Sequence, residues 1–277
     1  MRLIRRLLIC FFIFTVFFQF DIVEAKESKL RIETVSYSAD LQADLFSMPS
    51  VKKVPAVILV HGGYWLHGDR KEMSDFATKL VQNGFLVMSI DYHLLPKYSQ
   101  QSQTKDIINA ICWLKANSKN LGINPNKIGV VGVSAGGYLA AWAATHDEVI
   151  NGVHSLPNAV VSLYGPWDLT KEAEKELSSE STQLVEVVEK FCAGQNRKTL
   201  SPIFAISKNT PPVLLVHGDE DKIVPVSQSV KAYEKLKEND CKCKLVIVPN
   251  FGHCSLNTKS SFQAIDISTE FLNKVLK

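Results

Sequence analysis

Short aliphatic runs recur along the chain, and each run ends at a turn rich in glycine or polar residues. The clearest run covers residues 56–60, Ala-Val-Ile-Leu-Val, and stops at His61. Such runs are typical of parallel strands that are buried on both faces of a sheet. The predicted buried strands cover residues 56–60, 85–90, 127–133, 159–164, 213–216 and 244–248.

Segments with helical periodicity lie between these runs, and two strands of roughly alternating polarity, residues 30–36 and 41–47, precede them. The predicted helices cover residues 72–82, 102–118, 135–145, 226–238 and 260–275. This alternation predicts an α/β protein with a mostly parallel sheet of about eight strands, helices on both faces and an antiparallel edge. Ligands bind such sheets at the carboxyl ends of the strands, so we expect the functional residues there.

Residues 171–209 interrupt the alternation of strands and helices. This segment is highly charged at its start and amphipathic around residues 184–191. We interpret residues 171–209 as a helical insertion that forms a small cap over the strand ends. The insertion then belongs to a single domain of residues 26–277, a length that one large α/β domain can accommodate.

The first 25 residues have the pattern of a secretory signal peptide. Arg2, Arg5 and Arg6 form a basic segment, residues 7–18 are almost entirely apolar, and Val23 and Ala25 place an aliphatic and a small residue at the positions that a signal peptidase reads. The apolar run is shorter than the roughly 20 residues that span a bilayer. We expect cleavage near Ala25, no stable membrane insertion afterwards, and a secreted or periplasmic protein. An uncleaved anchor is the alternative.

The composition is that of a globular protein. Of the 277 residues, 46% are hydrophobic and 21% are charged, and the net charge of +3 is too small to indicate nucleic-acid binding. Cys112 has the context of a buried small hydrophobic residue. We expect one disulfide from the group Cys241, Cys243 and Cys254, with Cys192 as a candidate partner. The spacing of these cysteines matches no usual zinc site, so no metal is expected.

A glycine-rich turn follows the strand at residues 127–133. Residues 132–137 read Gly-Val-Ser-Ala-Gly-Gly and open a helical segment. A Gly-x-Ser-x-Gly sequence between a strand and a helix is typical of a nucleophile elbow, which exposes the serine hydroxyl at the sheet edge. Ser134 is therefore the candidate nucleophile; the alternative is a glycine-rich turn with a serine at the helix N-cap.

A second glycine turn, His61-Gly62-Gly63, follows the strand at residues 56–60. Acyl transfer places negative charge on the former carbonyl oxygen, and backbone N–H groups must be aimed at that charge in advance. Glycines let this backbone approach a substrate, and the N–H of Ala135 is a complementary donor. We interpret His61 as a residue that braces the loop. The pattern leaves open whether Trp65 lines a pocket or belongs to the core.

Candidates for an acid and a base follow the last two strands. Asp219, Glu220 and Asp221 come directly after residues 213–216, and the spacing alone does not choose among them. A carboxylate at this place can hold the tautomer and orientation of a catalytic imidazole. His253 lies in a glycine-containing loop after the final strand and completes the order Ser, Asp, His. His253 is therefore the candidate base.

With these residues in place, the chain resembles the esterase/lipase branch of the α/β-hydrolases, and within it the small acetyl-, feruloyl- and hormone-sensitive-lipase-like esterases. The motifs that carry the resemblance are residues 61–65, 68–69, 91–96, 106–114, 122–128, 132–137, 164–166, 217–225 and 252–253. The resemblance implies an α/β-hydrolase fold and a catalytic triad of Ser134, Asp221 and His253. It also implies oxyanion donors at Gly63, Tyr64 and Ala135, and it implies no cofactor.

Two positions depart from the family pattern. Tyr64 stands where the family usually has a third glycine, and His93 replaces the common arginine of an Asp-Tyr-Arg motif. We expect a secreted serine carboxylic ester hydrolase that acts on short-chain or carbohydrate-linked acyl esters through an acyl-enzyme. A formamidase of the kynurenine formamidase type and a non-catalytic binding protein on the same fold are the alternatives. The sequence gives no indication of the oligomeric state.

Overall fold

The computed structural model describes residues 29–176, 181–253 and 259–277; of residues 259–261 only the backbone is described. The predicted signal peptide and Cys254 lie outside these ranges. In the described part of the chain, no helix combines the length and the apolar character needed to cross a membrane.

Eight strands form one sheet in the order β1-β2-β4-β3-β5-β8-β9-β10. β1 pairs antiparallel with β2, and β2 pairs antiparallel with β4. All other neighbours in this sheet are parallel. The predicted mostly parallel sheet with an antiparallel edge is therefore confirmed. The strands are β1 Arg31–Ser36, β2 Gln42–Ser47, β3 Val54–Val60, β4 Leu86–Ile90, β5 Ile123–Val133, β8 Ala159–Leu163, β9 Val213–Gly218 and β10 Cys243–Val248.

The central strands are buried on both faces, as their uninterrupted aliphatic runs predict. In β3, Ile58 and Val60 belong to the hydrophobic core on one face, whereas Val57 and Leu59 belong to the core on the other face. This alternation follows from the two-residue period of a strand. The middle of the sheet is therefore packed between two apolar layers, and the loops after the central strands begin at this packed core.

Helices cover both faces of the sheet. The helices α2, α4 and α7 contribute to the core layer that contains Ile58, and α1 and α8 contribute to the opposite layer. The described helices are α1 Ser74–Gln82, α2 Gln100–Ala116, α3 Ser118–Leu121, α4 Ala135–Thr145, α5 Lys171–Glu174, α6 Thr182–Cys192, α7 Ser227–Glu238 and α8 Lys259–Leu276.

Two local features differ from the sequence-based expectation. β5 begins at Ile123 rather than at residue 127, because Ile123 pairs with Val54 across an irregularity in the register. A small hairpin of β6 Val149–Ile150 and β7 Val153–His154 was not predicted. Its turn residues are Asn151 and Gly152, both at positive φ. Asn-Gly is the preferred pair for a two-residue hairpin turn, so the sequence did contain this signal.

The insertion, residues 171–209, contains α5, α6 and a short 3-10 helix, Pro202–Ala205. One face of α6 buries Leu184, Val187, Val188 and Phe191. The ring of Phe191 stacks on Trp65, with ring centroids 4.2 Å apart. Because Trp65 follows the carboxyl end of β3, this contact holds α6 over that end of the sheet.

The expected disulfide is wrong for the cysteines that the structure describes. Cys192, Cys241 and Cys243 are free thiols. Cys192 ends α6 at the carboxyl end of the sheet, whereas Cys241 and Cys243 lie at the start of β10, at the opposite end. The six residues of β10 separate these ends by roughly 17 Å, and a disulfide needs Cα atoms within about 7 Å.

Candidate active site

The turn between β5 and α4 holds Ser134 in an unusual backbone conformation, with φ 53° and ψ −115°. A non-glycine residue at positive φ is strained, and such strain concentrates at functional sites. The N–H of Ser134 donates to the carbonyl of Leu163 at 2.9 Å, which anchors the turn to β8. A Cβ atom at Gly136 would lie 2.2 Å from the carbonyl oxygen of Val60, so only glycine allows this close approach to β3.

Three side chains from three loops form one hydrogen-bonded chain. The Oγ atom of Ser134 lies 2.8 Å from Nε2 of His253. Nδ1 of the same ring lies 2.7 Å from Oδ2 of Asp221. A carboxylate only accepts, so Nδ1 carries the proton and donates, which leaves Nε2 free to accept the hydroxyl proton of Ser134. The edge of the Tyr164 ring packs against the imidazole, with centroids 5.1 Å apart.

The neighbouring acids occupy different environments. Asp219 and Glu220 are exposed, whereas Asp221 is buried. Oδ1 of Asp221 accepts the backbone N–H groups of Ile223 and Val224, both at 2.9 Å. These bonds leave Oδ2 directed at His253. The spacing in the sequence could not distinguish the three acids, and the tertiary structure brings only Asp221 into contact with the imidazole.

A second histidine, His217, contacts Asp221, and its place in the site was not predicted from the sequence. Nε2 of His217 lies 3.2 Å from Oδ2 of Asp221 and 2.8 Å from the carbonyl oxygen of Val224, while Nδ1 lies 2.7 Å from Oγ of Ser229. Burial opposes ionisation of Asp221, but the hydrogen bonds from His217 and His253 outweigh it and hold the pKa of Asp221 well below its usual range. The sequence feature that could have indicated this role is the position of His217 directly after the apolar run of β9.

The proposed oxyanion donors lie beside the nucleophile. Within the described residues, the N–H groups of Gly63, Tyr64 and Ala135 donate no hydrogen bond. Ala135 begins the eleven-residue helix α4, whose N-terminus carries a partial positive charge. A Cβ atom at Gly62 would lie 3.4 Å from Cβ of Ser134, so the loop after β3 packs against the nucleophile turn. This arrangement can stabilise negative charge next to Ser134.

His61 and Trp65 brace this loop from inside the protein. The Nδ1 atom of His61 lies 2.7 Å from the carbonyl of Gly62, and its ring stacks on Tyr92 with centroids 4.3 Å apart. Burial lowers the pKa of His61 and favours its neutral form. Trp65 is 1% exposed and therefore belongs to the core. The bracing role expected for His61 agrees with these contacts.

His93, at the position where the family usually has arginine, lies away from the nucleophile. Nδ1 of His93 lies 2.8 Å from Asp106, and Nε2 lies 3.0 Å from Asp40. Burial works against the charged imidazole, but the hydrogen bonds and charges of the two aspartates outweigh it and raise the pKa of His93. Burial also raises the pKa of Asp106, to about 6. The cluster links the β1–β2 turn, the loop after β4 and α2.

A small, largely apolar cavity lies between α6 and the loops after β8 and β9. Its lining includes Pro166, Leu169, Leu184, Val188 and Val224. Val224 lies in the same loop as Asp221, so this cavity adjoins the loop that carries the acid. Among the described residues, no group of three or more His, Cys, Asp or Glu side chains is arranged to hold a metal ion.

Comparison with known proteins finds curated esterases among the relatives of this chain. The chain is 32% identical to the esterase LipC of Mycobacterium tuberculosis over 219 residues, which cover 74% of this chain and 54% of LipC. It is 29% identical to the esterase LipQ of the same organism, covering 67% of this chain and 47% of LipQ. The chain thus spans about half the length of the curated relatives it matches.

Solved structures share the fold. An acetyl ester-xyloside bifunctional hydrolase from Caldicellulosiruptor lactoaceticus superposes with a TM-score of 0.74 at 22% identity, over 88% of this chain and 96% of that one. Esterase 2 of Thermogutta terrifontis, phosphonylated by sarin, superposes with a TM-score of 0.77 at 23% identity, over 91% and 96% of the two chains. Residues 44–236 match the BD-FAE family. The chain therefore belongs to the BD-FAE family and shares the α/β-hydrolase fold of these solved structures.

Proposed function

We propose that this protein is a serine carboxylic ester hydrolase with Ser134 as nucleophile, His253 as base and Asp221 as the acid that orients the base. The observation that carries the proposal is the hydrogen-bonded chain from Ser134 through His253 to Asp221, beside N–H groups that donate to nothing else in the described residues. The family to which the chain belongs supports the same reaction class.

Acylation begins at the hydroxyl of Ser134. Nε2 of His253 accepts its proton as Oγ attacks the ester carbonyl, and Asp221 stabilises the imidazolium that forms. The N–H groups of Gly63, Tyr64 and Ala135 hold the oxyanion of the tetrahedral intermediate. His253 then protonates the departing alcohol, and the acyl group remains on Ser134.

Deacylation repeats the sequence with water as the nucleophile. His253 takes a proton from water, the resulting hydroxide attacks the acyl-enzyme, and the same N–H groups hold the second oxyanion. Collapse of this intermediate returns the proton from His253 to Oγ of Ser134. The acid is released, and the hydrogen-bonded chain is restored.

We propose short-chain or carbohydrate-linked acyl esters as the substrates. We expect the side chain of Tyr64, where the family usually has glycine, to narrow the space beside the nucleophile. A solved relative in fold is named as an acetyl ester-xyloside hydrolase. We further propose that the insertion, residues 171–209, acts as a small cap over the carboxyl end of the sheet, where Phe191 of α6 stacks on Trp65.

Replacing the nucleophile tests the reaction. Ser134→Ala should abolish hydrolysis of p-nitrophenyl acetate and labelling by a fluorophosphonate probe, with unchanged circular dichroism. The matched control is Ser50→Ala, because Ser50 is an exposed serine that bonds only locally, to Lys52. Turnover or labelling retained in Ser134→Ala contradicts the proposal, and wild-type protein that is never labelled favours a non-catalytic binding protein.

A substrate panel separates the alternatives for the acyl donor. We expect p-nitrophenyl acetate and acetylated xylosides to be hydrolysed faster than longer p-nitrophenyl esters. Comparing an acetyl ester with N-formylkynurenine distinguishes an esterase from a formamidase. Faster hydrolysis of N-formylkynurenine than of the acetyl ester contradicts the assignment as an esterase but not the proposed role of Ser134 as nucleophile.

We also propose that the protein is exported and that cleavage follows Ala25. The support is the basic and then apolar pattern of the first 25 residues, which lie outside the described part of the chain. N-terminal sequencing of the mature protein should begin at Lys26. A mature chain that retains residues 7–18 contradicts this proposal.

A further inference from the structure

The loop that carries the proposed oxyanion donors is a left-handed turn. Gly63, Tyr64 and Trp65 have φ values of 107°, 55° and 59°. The carbonyl of Gly63 accepts the N–H groups of Leu66 at 2.9 Å and His67 at 3.1 Å, which closes the turn. Two consecutive non-glycine residues in this region are disfavoured, so the turn needs contacts that hold it in place.

His67 provides a third hydrogen bond to the same carbonyl. Nδ1 of His67 lies 2.6 Å from the carbonyl oxygen of Gly63. The carbonyl oxygen only accepts, so Nδ1 carries the proton and donates. A Cβ atom at Gly63 would lie 2.0 Å from the carbonyl oxygen of His67 and 2.9 Å from Nδ1, so the turn folds tightly back onto Gly63.

The hydrogen bond from His67 to the carbonyl of Gly63 also affects the direction of the N–H group of Tyr64. The carbonyl of Gly63 and the N–H of Tyr64 belong to the same planar trans peptide, so they point in opposite directions. Holding the oxygen on the side of His67 therefore holds the N–H of Tyr64 on the other side. That N–H donates to no group in the described residues, and the neighbouring Gly62 packs against Ser134.

We propose that His67 is a positioning residue that aims the N–H of Tyr64 at the oxyanion; this inference rests on the proposed esterase function. His67 is exposed, so it does not act through the hydrophobic core. Its ring also lies beside the ring of Tyr64, with centroids 6.3 Å apart. An interaction made with the oxyanion stabilises the transition state more than the bound substrate, so its loss lowers kcat rather than raising KM.

The test compares two substitutions that differ in one hydrogen-bond donor. His67→Ala removes the donor and should lower kcat about tenfold, less than the 10²–10³ typical of deleting an oxyanion donor itself. KM should stay within about twofold, since substrate binding is not the target. His67→Asn keeps an N–H at the position of Nδ1 and should restore most of the lost rate. Inhibition constants for a trifluoromethyl ketone, which forms a tetrahedral adduct, should weaken by the same factor as kcat falls.

The matched control is His154→Ala, because His154 is an exposed histidine on the remote β6–β7 hairpin. It should leave kcat and inhibitor binding unchanged. The inference is overturned if His67→Ala has normal kcat and inhibitor binding, or if His67→Ala and His67→Asn lose equal amounts of both. In either case, ester turnover by the wild type leaves the proposed function intact. Wild-type protein without ester turnover overturns the proposed function and, with it, the role of His67.

Discussion

At the residue scale, Asp219 and Asp221 show how burial assigns different roles to the same side chain. Asp221 is buried and bonds to His253, whereas Asp219 is exposed, with the backbone N–H of Phe251 3.4 Å from its Oδ1. Asp221→Asn should lower kcat by about 10⁴, because an amide does not hold the required imidazole tautomer. Asp219→Asn should change the rate little. Initial rates with p-nitrophenyl acetate distinguish the two, and a larger loss in Asp219→Asn would contradict the geometry.

His217 should stabilise the fold through the charge of Asp221. His217→Asn removes a donor from a buried carboxylate and should cost about 1–3 kcal/mol in the free energy of unfolding at pH 7. Because the pKa of Asp221 is depressed in the folded chain, this stabilisation is present above its unfolded pKa and is lost as the pH falls through its folded pKa. The deficit of the variant should therefore persist from pH 7 down to about pH 4, the usual pKa of an aspartate, and shrink only at lower pH, as measured by urea unfolding. A deficit independent of pH would contradict this linkage.

At the scale of elements, the cluster of His93, Asp40 and Asp106 joins three segments at the antiparallel edge of the sheet. The pKa values of His93 and Asp106 are raised and the hydrogen bond from His93 lowers the pKa of Asp40, so above about pH 4 the folded chain binds more protons here than the unfolded chain. The contribution of this cluster to the free energy of unfolding therefore decreases as the pH rises from about 4 through the raised pKa of His93.

Arginine at position 93 should remove this dependence, since its guanidinium stays charged. We expect the stability of His93→Arg relative to wild type to increase between pH 5 and pH 9. Urea unfolding at several pH values measures the difference, and comparison with the wild type cancels the titration of other groups. If the free energies of unfolding of the two proteins change in parallel with pH, the cluster does not change its proton binding on unfolding, which would contradict the prediction.

The insertion depends on α6 for its attachment to the body of the protein. Phe191 stacks on Trp65 and meets the ring of Tyr138 edge-on, so it joins α6 to the loop after β3 and to α4. Phe191→Ala should lower the free energy of unfolding by about 3–5 kcal/mol. Phe204 is 47% exposed in the same insertion, and Phe204→Ala should change stability by less than about 0.5 kcal/mol. Equal effects in urea unfolding would contradict the packing role of α6.

At the scale of the whole molecule, Cys192 lies at one end of the sheet and Cys241 and Cys243 lie at the other. Burial raises the pKa of the Cys192 thiol to about 11, which also keeps its reactive thiolate scarce. Denatured, unreduced protein should therefore be alkylated at Cys112, Cys192, Cys241 and Cys243, as measured by peptide mass spectrometry. A cross-linked peptide that contains Cys192 would contradict this arrangement.

Much of the architecture could be predicted from the periodicity of the chain. The strand at residues 56–60 was recognised because five consecutive aliphatic residues require burial on both faces, and the structure extends it only to Val54–Val60. The start of β5 was missed because it depends on pairing between Ile123 and Val54, which lie far apart in the sequence. The β6–β7 hairpin is too short for a periodic signal, and only its Asn-Gly turn could have indicated it.

The sequence by itself determined the alternating sheet, the glycine turn around Ser134 and the chain order of serine, acid and histidine, because these follow from local periodicity and residue type. The spacing did not choose between Asp219 and Asp221; the family resemblance indicated Asp221, and the structure shows its contact with His253. That His217 shares this carboxylate and that Cys192 is remote from β10 could be seen only in the folded chain. These relations are distances across strands and loops, set by packing between segments that no local pattern connects. The catalytic roles proposed for these residues rest on that packing.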